Sequence, residues 1–298
     1  MTWRGRFILL ALVVVAVVGP TVYLRICLRY LSSQAGRAGL EAAASMAVQQ
    51  LGRDLVVHLE QPRRSGMFGL VIPAAQITSA TETEALVDLR GTVLKLQLWP
   101  HVLQGRVRAS LQLNDRLSAA EGRVLAVVPL RALATGTLGA DATLDVTVQR
   151  LPLPLLLQLS SPTRASLPLG LNSDKVSGLI SGSAQLVLKD GQVQQGGLKA
   201  QLSELAASLP QIDSPLRFAA TAVELAWQGT AWGLVQPVAL VDRAKGFKFT
   251  FAKPVTGDNP LTVSVAGPPL LMLLLTTLAQ CQHPDSIAFR LEDGQWRC

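Results

Sequence analysis

The chain is 298 residues long, 49% hydrophobic and only 16% charged, with a formal net charge of +7. That length supports one large or two small domains, and the low charge, below the usual quarter or so of residues, leaves two readings: a thoroughly buried sheet or a domain with exposed apolar surface. The basic residues are scattered, and nothing resembles an aromatic-plus-basic stacking platform or a recognition helix, which excludes nucleic acid as the expected partner.

The first element is the run from Phe7 to Leu24, FILLALVVVAVVGPTVYL, with no charge between Arg6 and Arg25. At about 1.5 Å per residue it reaches about 27 Å as a helix, close to a bilayer core of roughly 30 Å. A signal peptide, a retained anchor and a core helix compete for it. The flanks favour an uncleaved anchor, because Gly19-Pro20 leads into bulky Val22, Tyr23 and Leu24 rather than a small-residue cleavage site. Arg4 and Arg6 before the run and Arg25, Arg29 and Arg37 after it do not decide orientation by count. A short N-terminus in the cytoplasm is expected, since long domains translocate largely regardless of charge.

Residues 32–50 are rich in Ala and Gln, with Leu40, Met46 and Val48 spaced through them, which predicts a helix leaving the bilayer. From about residue 54 the hydrophobic period changes from 3.6 to 2. The chain thus divides into residues 1–25, a tip and membrane anchor; 26–53, a juxtamembrane helix or linker; and 54–298, an antiparallel β domain.

Alternation recurs along that domain. Leu94, Leu96 and Leu98 share one face of a strand, as do Val107, Ala109, Leu111 and Leu113, and Ala142, Leu144, Val146 and Val148. Ala184-Leu186-Leu188, Leu198-Ala200-Leu202, Thr221-Val223-Leu225-Trp227, Phe247-Phe249-Phe251 and Leu261-Val263-Val265 continue the pattern. Such strands form antiparallel sheet with one wet face and one apolar face. Expected turns are Lys189-Asp190-Gly191, Gly196-Gly197, Gln228-Gly229 and Gly257-Asp258-Asn259-Pro260. Prolines in the stretches 128–133 and 151–157 predict short helices across the apolar face or at its ends. The stretch from Pro268 to Leu278 is too short to span a membrane; it plugs the end of the apolar face or dips into the membrane surface. Trp227 and Trp232 predict a hairpin packing pair, with a partner-binding pair as the alternative.

The segment from Val176 to Val193, VSGLISGSAQLVLKDGQV, resembles the glycine, small-residue, strand and Asp-Gly unit of bacterial AsmA-like proteins and the related type II secretion system protein N. The layout is similar too: an anchor, an Ala-rich helix, then a long run of antiparallel strands. The resemblance implies a mainly β fold curled into an open, taco-like groove, anchored in the bacterial inner membrane with the main domain in the periplasm. It implies binding or shielding of lipid, or assembly of a secretion or envelope machine, with membrane lipid and envelope or secretion-system proteins as partners. It carries over no catalytic residues.

The groove-lining candidates on this reading are Leu94, Leu96, Leu98, Leu111, Leu113, Leu144, Val146, Leu186, Leu188, Val223, Leu225 and Phe249, with Phe7 and Leu24 bounding the anchor. Cys281 and Cys298 bracket a short C-terminal strand, and in an oxidising compartment they either pair or stay free. A bridge there would contribute about 3 kcal/mol in the chain-entropy model. Cys27 stands alone beside the membrane. No CxxC or His-rich spacing accompanies the cysteines, and His58, His101 and His283 belong to no ligand pair, so no metal is expected. Nucleophile elbows, phosphate loops and dinucleotide fingerprints are missing as well, and Asp174, Asp190, Asp213 and Asp258 suit turns. The chain reads as non-catalytic, with no cofactor.

Overall fold

The computed structural model describes residues 21–49, 55–79, 85–97, 101–129, 141–160, 175–190, 192–208, 214–229, 231–242, 244, 246–253, 261–269, 272, 287–292 and 295–297. Residues 21–31 are helical (α1), and a second helix, α2, spans Gln34–Gln49. The Ser33 hydroxyl oxygen accepts the Gly36 N–H at 3.1 Å, an N-cap that starts α2. Gly36 lets the two helices meet tightly, since a Cβ there would lie 2.1 Å from the Tyr30 carbonyl oxygen. Among the described residues no helix is long and apolar enough to cross a membrane. Most of the predicted anchor, Phe7 included, lies outside them.

The protein is mainly β. A large antiparallel sheet of twelve strands begins with β1 (Leu55–Leu59), β2 (Arg63–Ser65), β3 (Gly69–Ser79), β4 (Ala85–Gln97), β5 (Arg106–Asn114) and β6 (Glu121–Pro129). It continues through β7 (Ala142–Pro152), β8 (Val176–Lys189), β9 (Gln192–Ala207), β10 (Leu216–Arg217), β11 (Thr221–Gln228) and β12 (Ala231–Leu234). The spatial order follows the chain, as in a meander, except that β2 and β10 pair to the side of β3 and β9. A short helix, α3 (Leu153–Ser160), follows β7. A second sheet of five strands takes β13 (Val238–Asp242), β14 (Phe247–Ala252), β15 (Thr262–Ala266), β16 (Ile287–Glu292) and β17 (Gln295–Arg297) in order.

Local sequence explains most of these boundaries. The β8–β9 hairpin turns at Asp190, whose φ of 49° suits an Asp side chain, and the β11–β12 hairpin turns at Gly229, φ 69°. Gly196-Gly197 is not a turn: both residues lie within β9, paired with Leu186 and Gln185 of β8. Pro129 and Pro152 are the last residues of β6 and β7; the short helix predicted over 151–157 is present as α3, which begins directly after Pro152 with Pro154 in its first turn. The stretch after Val128-Pro129, most of Pro268–Leu278, and the turn at 257–260 lie outside the described residues.

Both rims of the large sheet are occupied. At β1 the outward N–H groups of Val57 and Leu59 donate to Ser45 Oγ at 3.0 Å and Glu41 Oε1 at 2.8 Å, both from α2. The same helix lays Leu40 and Ala44 against the cluster of Val57, Leu59 and Ala75. At the other rim the Leu234 N–H donates to the Lys253 carbonyl at 2.8 Å, and Ala219 N–H to the Val241 carbonyl at 3.4 Å, so the two sheets are joined there.

Candidate functional site

The strand registers bring the sequence-predicted apolar residues into shared rows. Leu94 lies opposite Leu111, Leu111 opposite Val124, and Val124 opposite Val146. The same row runs on through Ala184, Leu198 and Leu225 to Leu234. A parallel row joins Leu96 to Ala109, Ala126, Leu144, Leu186, Gly196, Trp227 and Trp232. A third contains Leu113, Gly122, Val148, Gly182, Ala200 and Val223. With strands about 4.8 Å apart, the first row crosses roughly 34 Å of sheet from β4 to β12.

The opposite face is polar. Gln112, Arg123, Thr147, Ser183, Lys199 and Glu224 fall in register there, and the Lys199 and Glu224 side chains pair at 2.9 Å in the open. An exposed pair of this kind contributes at most about 1 kcal/mol. It marks the wet side.

Leu94, Leu96, Leu111, Leu113, Leu144, Val146, Leu186, Leu188, Val223 and Leu225 are all half-buried, none fully covered. What covers one end is α1. Leu24, 1% exposed, packs in a cluster with Val107, Val128 and Ala142, and Leu96, Ala126 and Leu188 close around it. Leu24 was expected among lipid at the end of the anchor; its side chain is instead inside the protein. Leucine satisfies either surroundings equally, because a leucine-lined sheet is as apolar as an acyl chain. Leu28, one turn on, is fully buried, while Val22, Ile26 and Tyr30 line the outward side of α1 beside exposed Arg25 and Arg29.

Phe249 does not belong to this face. It lies in β14 of the second sheet, opposite Leu240 and Val265, with Phe247 stacked beside it and the Phe218 ring edge-on at 5.7 Å. Periodicity places a side chain on a face but does not say which sheet owns the strand. Leu98, Cys281 and Cys298 lie outside the described residues. Cys27 is half-buried with a free thiol on α1.

At the far end the apolar rows run into a cavity of about 380 Å³ between the sheets. Leu202, Val223, Leu225, Trp232 and Leu234 form one wall and Val238, Leu240, Phe251 and Leu261 the other; among the described residues Lys253 is the one charged member of the lining. Trp227 and Trp232 face each other across the β11–β12 hairpin with ring centroids 5.6 Å apart, edge to face, as predicted for a packing pair. The Trp227 indole N–H donates to the Val193 carbonyl at 2.9 Å. Trp232 lies over Gly196, where a Cβ would come within 2.8 Å of the indole.

Among the described residues the buried carboxylates are Asp88, Asp115 and Asp242, and the first two tie strands together. Asp115 Oδ1 accepts the Asp88 N–H at 3.0 Å, and its Oδ2 accepts the N–H and hydroxyl of Ser118, which fastens β4 to the β5–β6 turn. Asp88 is paired with Arg90 at 3.0 Å. Asp115 belongs to no catalytic motif, but Asp115-Arg116-Leu117-Ser118 has the spacing of an Asx turn, the signal by which it could be found. Lys253, a lone lysine after a phenylalanine stripe, carries no motif that sequence could signal. Among the described residues no group of His, Cys, Asp and Glu is placed to hold a metal ion.

No family model, curated protein or solved structure matches this chain. The geometry alone therefore carries the functional reading.

Proposed function

We propose that this chain is a membrane-tethered, non-catalytic envelope protein that binds or shields lipid, or another hydrophobic molecule, on the apolar face of its large sheet. The observation that supports this is the set of in-register apolar rows from β4 to β12, half-buried along their length. Fully burying a leucine stabilises a fold by about 1.5–3 kcal/mol, so a half-covered row leaves about half of that unrealised at each position. An acyl chain lying along the rows would recover it. On this reading the sheet curls about its apolar side into an open groove, which the twist of antiparallel strands favours. The run beginning at Phe7 holds it at the bacterial inner membrane with the groove in the periplasm, and Arg25 and Arg29 meet anionic head groups.

The competing reading, a secretion-system scaffold that adds its strands to partner sheets, has less support. Strand addition needs a vacant edge, and α2 and Lys253 occupy the rims of the large sheet. A photo-crosslinking residue placed at Leu111 or Leu144 in bacterial cells separates the two. Lipid adducts are the expected product; adducts to protein alone would transfer the face to a partner and end the lipid reading.

A further inference from the structure

We propose that the cavity between the two sheets is a discrete site for a single-chain anionic amphiphile, an acyl chain ending in a carboxylate, with that carboxylate on the Lys253 ammonium. The proposal deepens the lipid reading by giving one end of the apolar face a defined occupant.

Three features of the cavity point to this class. Its volume of about 380 Å³ is at the small end of the usual range of roughly 300–1,000 Å³ for ligand pockets, room for one chain rather than the two of a diacyl lipid. Among the described residues the lining is apolar at every position but one, which suits a hydrocarbon tail. The exception is a half-buried lysine, and no carboxylate among the described residues pairs with it. Lys253 brings the one positive charge among these lining residues, so charge complementarity selects an acid over an alcohol, an ester or a hydrocarbon. The backbone around Lys253 is fixed independently of its side chain, because its carbonyl accepts the Leu234 N–H that joins the sheets.

Trp232 in the wall supplies the readout. The full-length chain in phosphatidylcholine nanodiscs is titrated with 9,10-dibromostearate, whose bromines quench tryptophan at contact. The expected result is saturable quenching of a component that is missing from Trp232→Phe. Lys253→Gln weakens it at least tenfold, as loss of a charge-assisted hydrogen bond does, and Lys253→Arg retains it. The brominated methyl ester binds the native chain as weakly as the acid binds Lys253→Gln, and each methylene removed from the acid weakens binding about fourfold. Quenching that does not saturate, that survives in Trp232→Phe, or that is equal for acid and ester would overturn the proposal. Crosslinking at Leu111 reads a different place. A lipid-free face with a saturable acid at Trp232 removes the first reading and leaves this one, and the converse removes this one alone.

Discussion

Glycines of the large sheet differ in what they permit. At Gly182 a Cβ would stand 2.3 Å from the Lys199 carbonyl oxygen and 2.8 Å from the Ala200 Cα, both backbone atoms of the paired strand. Gly182→Ala therefore has to push β8 and β9 apart, and a loss of about 2–3 kcal/mol in denaturant unfolding is expected. Gly197 has open space where its Cβ would go, and Gly197→Ala should be neutral or stabilise by up to about 1 kcal/mol. Equal effects from the two would contradict the register. Leu24 gives a residue-scale test of the buried end of the face. Leu24→Ala should cost about 2–5 kcal/mol of α1 docking, seen as faster maleimide labelling of Cys27 by peptide mapping. Unchanged labelling would place Leu24 outside the protein core.

At the scale of elements, α2 acts as the guard of a sheet edge. Exposed edges invite pairing with other chains, and natural sheets blunt or cover them. Here Ser45 and Glu41 accept the two outward N–H groups of β1. Ser45→Ala and Glu41→Ala should each cost about 1–2 kcal/mol, and the pair should speed amide exchange at Val57 and Leu59. Light scattering of the double variant should also show association. The strands themselves were legible because alternation with a period of two survives in nearly every one, from Leu94-Leu96 to Val223-Leu225. The edge guard was not: a serine and a glutamate in an Ala-rich helix look like surface residues until a strand is brought beside them. Gly196-Gly197 misled for a related reason. A glycine pair is a good turn by local chemistry, yet here it gives Trp232 a flat place to lie, a requirement set by a residue more than thirty positions away.

For the whole molecule, sequence pattern identified a mainly β chain with a polar and an apolar side, and the registers gather the predicted leucines into rows. Which sheet owns a strand depends on long-range pairing, so Phe249 read like its neighbours but belongs to the second sheet. The second sheet also creates the cavity, which no local pattern announces. Stability should follow this division. Leu111→Ser on the half-covered face should cost about 1 kcal/mol or less in thermal unfolding, whereas Val265→Ser in the second sheet, 1% exposed, should cost several times more. Comparable losses would mean that the large sheet's apolar side is as filled as an ordinary core.

The occupied rims have one more consequence. With a helix bonded to its first strand and the chain after β14 bonded to its last, the twelve-stranded ribbon meets its own chain at both long margins. Sideways growth is hindered at those margins, so the side of this ribbon left for greasy contact is the broad one.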